Sequence, residues 1–408
     1  MAGKVSGRIK RAISSSLILF CVAGLLAASN AYFQNRDRGL VLGPKSDAQL
    51  QFFVDAVDRP DLAAFYKRFR PNEKLKIARN LHQYQNPRLI KVAATWLTDF
   101  DPQAREELGK VLMDLSEIYP KEVADELTNG GGFQKIAIFA ALRKSFAKTL
   151  PYAVAQLANA PARSNAVEYL VGSGTRAGHA VTRMLSDKDR ETRLAGADAL
   201  GKLGFRPAGD KIRELYGAAD TADKSPYLAA LANIGDPQSE TLLKAILADS
   251  GSSSQDRSSA ILGLGRIGSK ASIQALWKEL SQAPLDRGAF LEGLSVAGDL
   301  SLQTESGSLA DRLEVAGGIK STLADRVIQS SLESPLLTDR AAELSDGRPS
   351  LVPALSRKLA ALDPSKDGKS IELIVSTLAS TDEGLAALKS PSLARFKGFI
   401  ERERSQPR

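Results

Sequence analysis

Residues 187–215 read DKDRETRLAGADALGKLGFRPAGDKIREL, and this stretch decides the fold. Leu194, Ala197, Leu200 and Leu203 recur at i, i+3, i+6 and i+9, the spacing of an apolar stripe on a helix. Asp189 stands where an N-cap accepts the first free backbone N–H groups. Gly204 stands where a helix closes on a residue able to take positive φ. Pro207 falls near the start of a second helix, where its missing N–H is no loss. Ile212 and Leu215 give that second helix a buried side of its own. The stretch predicts a pair of short helices too small to bury its apolar faces alone.

The closing phrase recurs along the chain as Leu170-Val-Gly-Ser-Gly174, Leu200-Gly-Lys-Leu-Gly204, Leu231-Ala-Asn-Ile-Gly235, Leu264-Gly-Arg-Ile-Gly268 and Leu294-Ser-Val-Ala-Gly298. Its glycines step by 30, 31, 33 and 30 residues. A period in this range marks a solenoid, in which each unit buries its apolar face by stacking on its neighbours. Pro87, Pro120, Pro151, Pro207 and Pro237 step by 33, 31, 56 and 30 and are expected to mark the turn inside each pair. Aromatics make up only 6% of the chain, while Ala and Leu dominate the periodic segments. That composition suits helices packed through small residues better than a sheet.

The pattern resembles the HEAT-like family of helical repeats, in particular the short variant also seen in phycobilin lyases. The likeness is most specific at 187–215, extends over 225–247 and 256–280, and is looser at 286–300. Asp256-Arg257 and Asp286-Arg287 recur where Asp189-Arg190 stands, as the inter-repeat turn of that family requires. The resemblance implies an all-α, HEAT-like α-solenoid of stacked helix pairs whose second helices line a concave recognition surface. The expected organisation is an N-terminal membrane-targeting segment at 1–35, a linker or capping segment at 36–71, repeats over 72–300, and divergent repeats or a helical cap over 301–408. In that last part helices are expected at about 307–332, 349–362, 369–380 and 392–404.

Residues 12–35 carry no charge, four basic residues (Lys4, Arg8, Lys10 and Arg11) precede them, and the first acid is Asp37. This is the pattern of a segment inserted with its N-terminus in the cytoplasm, leaving the repeats extracytoplasmic. Two fates fit it. The uncharged length, with Tyr32 and Phe33 as interfacial aromatics, suits a retained single-pass helix. The apolar core, Leu17 to Ala28, is short, and Ser29-Asn30-Ala31 offers small residues for cleavage near Ala31, which would release a secreted or periplasmic protein. Cys21, the only cysteine, lies inside this segment, so the remainder can form no disulfide, thiolate cluster or cysteine nucleophile.

The net charge of +8 is unevenly spread. Residues 1–31 hold four Lys/Arg and no acid, and residues 32–100 hold 12 Lys/Arg against 7 Asp/Glu. Residues 101–300 hold 24 against 25, and 301–408 hold 15 against 15. A nucleic-acid solenoid would carry a basic stripe along its length, so no nucleic-acid partner is expected. The one concentrated basic stretch in the folded part is Lys67, Arg68 and Arg70, followed by Lys74, Lys76 and Arg79. It is either a solvated helix face or a contact patch for anionic headgroups or an acidic partner.

Other motifs reduce to the repeat. Gly263-Leu-Gly-Arg-Ile-Gly268 matches G-x-G-x-x-G, but a dinucleotide site needs a strand before the turn and a helix after it, and here the glycines close a helix. Asp363-Pro-Ser-Lys-Asp-Gly-Lys-Ser370 ends like a P-loop but lacks the first glycine. Ser145-Phe-Ala-Lys148 fits S-x-x-K without its partner motifs. His82 and His179 are the only histidines, and neither has the local context of a zinc site or a triad. Thr128–Phe133 and Ser250–Gln255 read as connectors, the first alternatively as a hinge. Trp96 and Trp277 read as core residues, alternatively as partner anchors. No metal, cofactor or catalytic residue is expected. The functional expectation is a non-catalytic protein-interaction scaffold with a protein partner, exported or held at the membrane by its N-terminal helix. The alternative is a phycobilin-lyase-like, chromophore-handling enzyme.

Overall fold

The computed structural model describes residues 36–56, 66–98, 101–128, 131–282, 286–304 and 306–404. The N-terminal targeting segment, with both its retained and its cleaved reading, lies outside the described residues. No helix among the described residues is long and apolar enough to cross a membrane.

The chain divides into two compact units, Met1–Ala195 and Gly196–Arg408. In the first, residues 36–42 and Asp47–Ala56 are helical and precede a succession of helix pairs. Pro71–Leu81 is followed by Arg88–Trp96, Pro102–Ile118 by Pro120–Asp125, and Gly132–Lys144 by Phe146–Ala155. Arg163–Gly172 is followed by the short helix Gly178–Thr182. The helix Arg190–Leu203 carries the division between the units, and its pair is Gly209–Ala218. The second unit continues with Thr221–Ile234 and Glu240–Ala248, Ser254–Ile267 and Lys270–Leu280, then Arg287–Val296 and Asp299–Gln303. Beyond Gly298 the phrase is gone but the pairing persists, as Leu309–Gly317 with Thr322–Leu332, Thr338–Glu343 with Val352–Ala361, and Gly368–Ala379 with Asp382–Ala387. Within each unit, first helices pack on neighbouring first helices, and second helices on second. No strand occurs among the described residues.

The Leu-x-x-Gly phrase has a direct structural meaning. Gly174, Gly204, Gly235, Gly268 and Gly298 all take positive φ, between 61° and 72°. At Gly235 and Gly268 the backbone is left-handed, and the glycine N–H donates back to the carbonyl of the phrase leucine, Leu231 or Leu264. An L side chain held in this conformation costs about 1–2 kcal/mol, so the turn selects glycine. The five leucines that open the phrases are all fully buried. Each phrase thus fixes an interior anchor and a helix stop one turn apart.

Small residues elsewhere in the first helices set how closely these helices approach. A Cβ added at Gly201 would lie 2.9 Å from the Cα of Ala230, and one at Gly263 would lie 2.8 Å from the Cα of Ala232. One at Gly265 would run into the carbonyl oxygen of Gly293. On Arg190–Leu203 the buried arc is wider than one stripe, since Thr192, Ala195, Ala197, Ala199 and Leu200 are buried while Leu194 and Leu203 are only half-buried.

Three expectations are corrected in detail. Pro120 opens its helix, Pro87 precedes Arg88–Trp96, and Pro207 and Pro237 lie in 3₁₀ turns between the helices of a pair. Pro151 instead lies inside Phe146–Ala155, and the turn of that pair falls at Ser145. The carbonyl that Pro151 leaves without a donor belongs to Ala147, an exposed residue, where water can satisfy it. Asp189 does accept the Thr192 N–H at 2.8 Å as a cap. Asp256 is not its counterpart, because Ser253 caps the Ser254–Ile267 helix and Asp256 lies three residues inside it, bonded to Ser253 Oγ. The true correspondence is Asp189 with Ser253, and Arg193 with Arg257. Arg193 donates to the carbonyls of Asp187 and Lys188, and Arg257 to that of Leu247, each at the end of the preceding repeat. Finally, the helix expected over 307–332 is two helices, broken at 318–321, with Ser321 Oγ accepting from the Ala324 N–H at 3.1 Å.

The glycines give a test with opposite signs. Gly265→Ala should lower the stability of the second unit by about 1–3 kcal/mol through overpacking, despite alanine's better helix propensity. Gly109→Ala, where an added Cβ meets nothing within 4 Å, should raise stability by about 0.5–1 kcal/mol. Urea melts of both variants would check the pair, and stabilisation by both would refute the close helix approach.

Candidate interaction surface

The basic stretch sits on the first helix pair, where residues 36–43 are bound down. The helix at 36–42 ends in carbonyls with no intrahelical donor, and two buried amides take them. Gln49 Nε2 donates to the carbonyls of Leu40, Val41 and Gly43 at 2.9–3.2 Å, and Asn80 Nδ2 to those of Val41 and Gly43 at 2.9 and 3.1 Å. Tyr84 Oη donates to Gln49 Oε1 at 2.7 Å and locks that amide's orientation. Nearer the start of this helix, Arg38 donates to Glu73 Oε1 at 2.5 Å and lies over the Phe69 ring. The Arg70 backbone N–H, and then Arg38, hold the Glu73 carboxyl below the usual range. Lys67, Arg68, Arg70, Lys76 and Arg79 are exposed, and Lys74 is half-buried over the Tyr66 ring. Tyr66 stacks in turn on Trp96 at 4.5 Å, with both rings buried, which makes Trp96 a core residue.

His82 follows the end of Pro71–Leu81 and pairs with Asp114 of the next first helix. Asp114 also accepts from Lys144, at the end of the first helix after that, at 2.6 Å. The three side chains form a chain of polar contacts across three successive first helices, and His82 and Asp114 line a cleft of about 200 Å³ together with Tyr84, Gln85, Val111, Leu115 and Ile118. Lys144 first, and then His82, lower the Asp114 pKa. His179 is exposed on Gly178–Thr182, three pairs away in the chain, so the two histidines do not form one site. No cluster of His, Cys, Asp and Glu fit to hold a metal occurs among the described residues.

The remaining motifs are absorbed by the fold. Gly263 and Gly265 are approach positions and Gly268 is a cap. Ser145 is buried and bonded to Ser116 Oγ, while Lys148 is paired with Glu117 at 2.9 Å. In the loop at 363–367 the carboxylates of Asp363 and Asp367 accept the backbone N–H groups of Ser365 and Asp363, so those donors are not turned toward a phosphate. Trp277 is buried, and its Nε1 donates to Ser301 O at 3.1 Å. Asp249 orders the Ser250–Gln255 connector through the Gly251 N–H and the Ser252 hydroxyl. The Thr128–Phe133 connector falls partly outside the described residues.

A larger cleft, of about 590 Å³, opens in the second unit between the Gly317–Thr322 turn and the Glu343–Ser350 turn. Its floor is Arg348, which donates to the carbonyls of Ala316, Gly317 and Ile319 at 2.8–3.1 Å and pairs with Asp325 at 2.8 Å. Ser350 Oγ donates to the other Asp325 oxygen at 2.5 Å. Above this satisfied network, Lys320 and Asp346 line the cleft, and both are exposed with no side-chain partner among the described residues. None of these residues stands out in the sequence, since the walls come from turns about thirty residues apart. The Asp346-Gly347 dipeptide signals a turn, not a cleft. Near this region in the chain, Val296, Leu300, Leu309 and Leu336 are exposed apolar side chains at helix ends and turns.

Stacked helix pairs closed by left-handed glycines, with first helices on first and second on second, give each unit a HEAT-like helical-repeat fold. No family model matches the chain, and no curated protein does. Among solved structures, the chain is similar to one in the complex of CpcE and CpcF of phycocyanin lyase from Nostoc sp. PCC7120. That match has 15% identity and a TM-score of 0.25, and covers 67% of this chain and 96% of the other. It is also similar to a Kap121p mutant at 11% identity and a TM-score of 0.31, covering 89% of this chain and 44% of the other.

Two outcomes follow from these geometries. Arg348→Lys keeps the charge but loses the planar fork that serves three carbonyls and a carboxylate, so it should destabilise the second unit by about 2–4 kcal/mol. Hydrogen exchange should show opening confined to 317–350, and wild-type protection there would refute the role of the fork. The Asp114 carboxyl, lowered in the folded chain, contributes stability that is present above its unfolded pKa of 3.8 and lost as pH falls through its lower folded value. Asp114→Asn should therefore lower stability at neutral pH and flatten the acid limb of a stability–pH curve below about pH 5, the variant and the parent converging as the carboxyl protonates. An unaltered acid limb would show that the carboxyl is not held by Lys144 and His82.

Proposed function

We propose that this chain is a non-catalytic protein-interaction scaffold, held at a membrane by its N-terminal segment, that engages its partner through the second unit. The observation that carries this reading is the cleft at 317–350. There a cation and a carboxylate without side-chain partners among the described residues, Lys320 and Asp346, stand on a floor whose own polar groups are satisfied. Such a frame offers two opposite charges at fixed positions without having to reorganise, which favours a partner over solvent. The exposed apolar residues between 296 and 336 supply area of the kind that anchors protein contacts. Repeat architectures bind through many modest contacts of this sort. Anchoring is supported by the uncharged run 12–35 behind four basic residues. The repeats then lie on the extracytoplasmic side.

A photo-crosslinking residue in place of Lys320 should give discrete protein adducts in intact cells. Lys320→Glu combined with Asp346→Lys should abolish those formed from a reporter at Leu336, with an unchanged melting curve. Adducts that survive the double charge reversal would remove the cleft from the interface. For the topology, protease added to intact spheroplasts should digest the repeats. Repeats protected until the membrane is breached would overturn the extracytoplasmic placement.

A further inference from the structure

The clasp on residues 36–43 fixes the direction in which the chain leaves the array. Arg38 pairs with Glu73 and lies over Phe69, whereas Val41 and Gly43 meet Asn80. Residues 36–43 therefore run alongside Pro71–Leu81 in the same direction, with residue 36 at the helix's N-terminal end. At a rise of 1.5 Å per residue, the Asn80 end lies about 10 Å further along the helix. The turn at that N-terminal end carries Lys67, Arg68 and Arg70, all exposed, and Arg36 is exposed as well. Asp37 is the one acid in 36–42, and Glu73 is already held by Arg38 and the Arg70 N–H. The basic stretch thus divides. Arg36, Lys67, Arg68 and Arg70 gather where the chain continues toward the uncharged run, while Lys76 and Arg79 lie further down the helix.

We infer that this end of the first helix pair rests on the membrane through anionic phospholipid headgroups, with Arg36, Lys67, Arg68 and Arg70 as its contact residues. The inference rests on the anchored reading proposed above and deepens it by giving the first pair an orientation, N-terminal end toward the bilayer. Charge complementarity and continuity with the uncharged run select headgroups as the occupant. Each basic residue held near an anionic surface adds attraction that decays within a Debye length, so residues about 10 Å deeper contribute much less. The amides of Gln49 and Asn80 hold residues 40–43 to the first pair, because releasing them would strip two or three helix-end carbonyls of their donors.

The test uses the full chain with Cys21→Ser, reconstituted into vesicles of phosphatidylcholine alone or with added phosphatidylglycerol. A fluorophore is attached at Asn72→Cys or, about 15 Å away along the helix, at Gln83→Cys. Headgroup-labelled quencher lipid should quench the Asn72 probe more strongly than the Gln83 probe in anionic vesicles. That excess should be lost in phosphatidylcholine and in the Lys67→Glu/Arg70→Glu variant, whose circular dichroism and melt should match the parent. Equal quenching at the two positions, or an excess indifferent to lipid charge and to the charge reversals, overturns the inference while leaving the anchor intact. Alkaline carbonate separates the two readings. A chain that carbonate strips from the vesicles has no anchor, and the oriented contact falls with it.

Discussion

The structure depends on the close approach of neighbouring first helices. A helix with a like helix on each flank cannot hold bulky side chains on both, and here the flanks are Gly201 against Ala230, Gly263 against Ala232, and Gly265 against the carbonyl of Gly293. Dispersion between backbones at this separation, with the leucines buried beneath, packs these helices through small side chains. The same constraint explains why its glycines serve two purposes. Some are small so that a neighbour can approach, and others are left-handed so that the helix can stop.

Polar groups hold the stack in register at its turns. Arginines near the starts of first helices reach back to carbonyls that the preceding repeat leaves open, as Arg163 does to Leu157, Arg193 to Asp187 and Arg257 to Leu247. Carboxylates of the following repeat hold others, as Asp286 holds Arg257 and Asp311 holds Arg287. In the later repeats Arg348 and Arg395 reach carbonyls more than thirty residues upstream, and Glu314 takes Arg340 with both oxygens. A cation at a helix C-terminus satisfies acceptors and meets the negative end of the helix dipole. These contacts carry the stacking on where the Leu-x-x-Gly phrase has lapsed.

The functional features are by-products of the same turns. The cleft at 317–350 exists because Arg348 draws two turns of successive repeats toward one set of carbonyls and leaves Lys320 and Asp346 above them. The clasp on residues 36–43 exists because a helix ends just where Gln49 and Asn80 can supply its missing donors. In both places a buried hydrogen-bond requirement positions exposed charge.

The sequence by itself determined the helix pairs, their period and the turns that close them, because a left-handed stop needs glycine and an interior anchor needs a leucine one turn before it. Those requirements are local and leave a readable mark at every repeat from Gly174 to Gly298. It also marked the basic run at 67–79 by composition alone. Only the tertiary structure decided which of those cations share an end with the departing chain, since that depends on Asn80 and Gln49 meeting carbonyls nearly forty and nearly ten residues upstream. It also moved the repeat correspondence from Asp256 to Ser253, because a cap is defined by which N–H is accepted and not by residue type. The cleft was illegible for the same reason. Its residues are ordinary turn residues whose proximity is set by stacking, and stacking brings together positions that a one-dimensional pattern keeps a whole repeat apart.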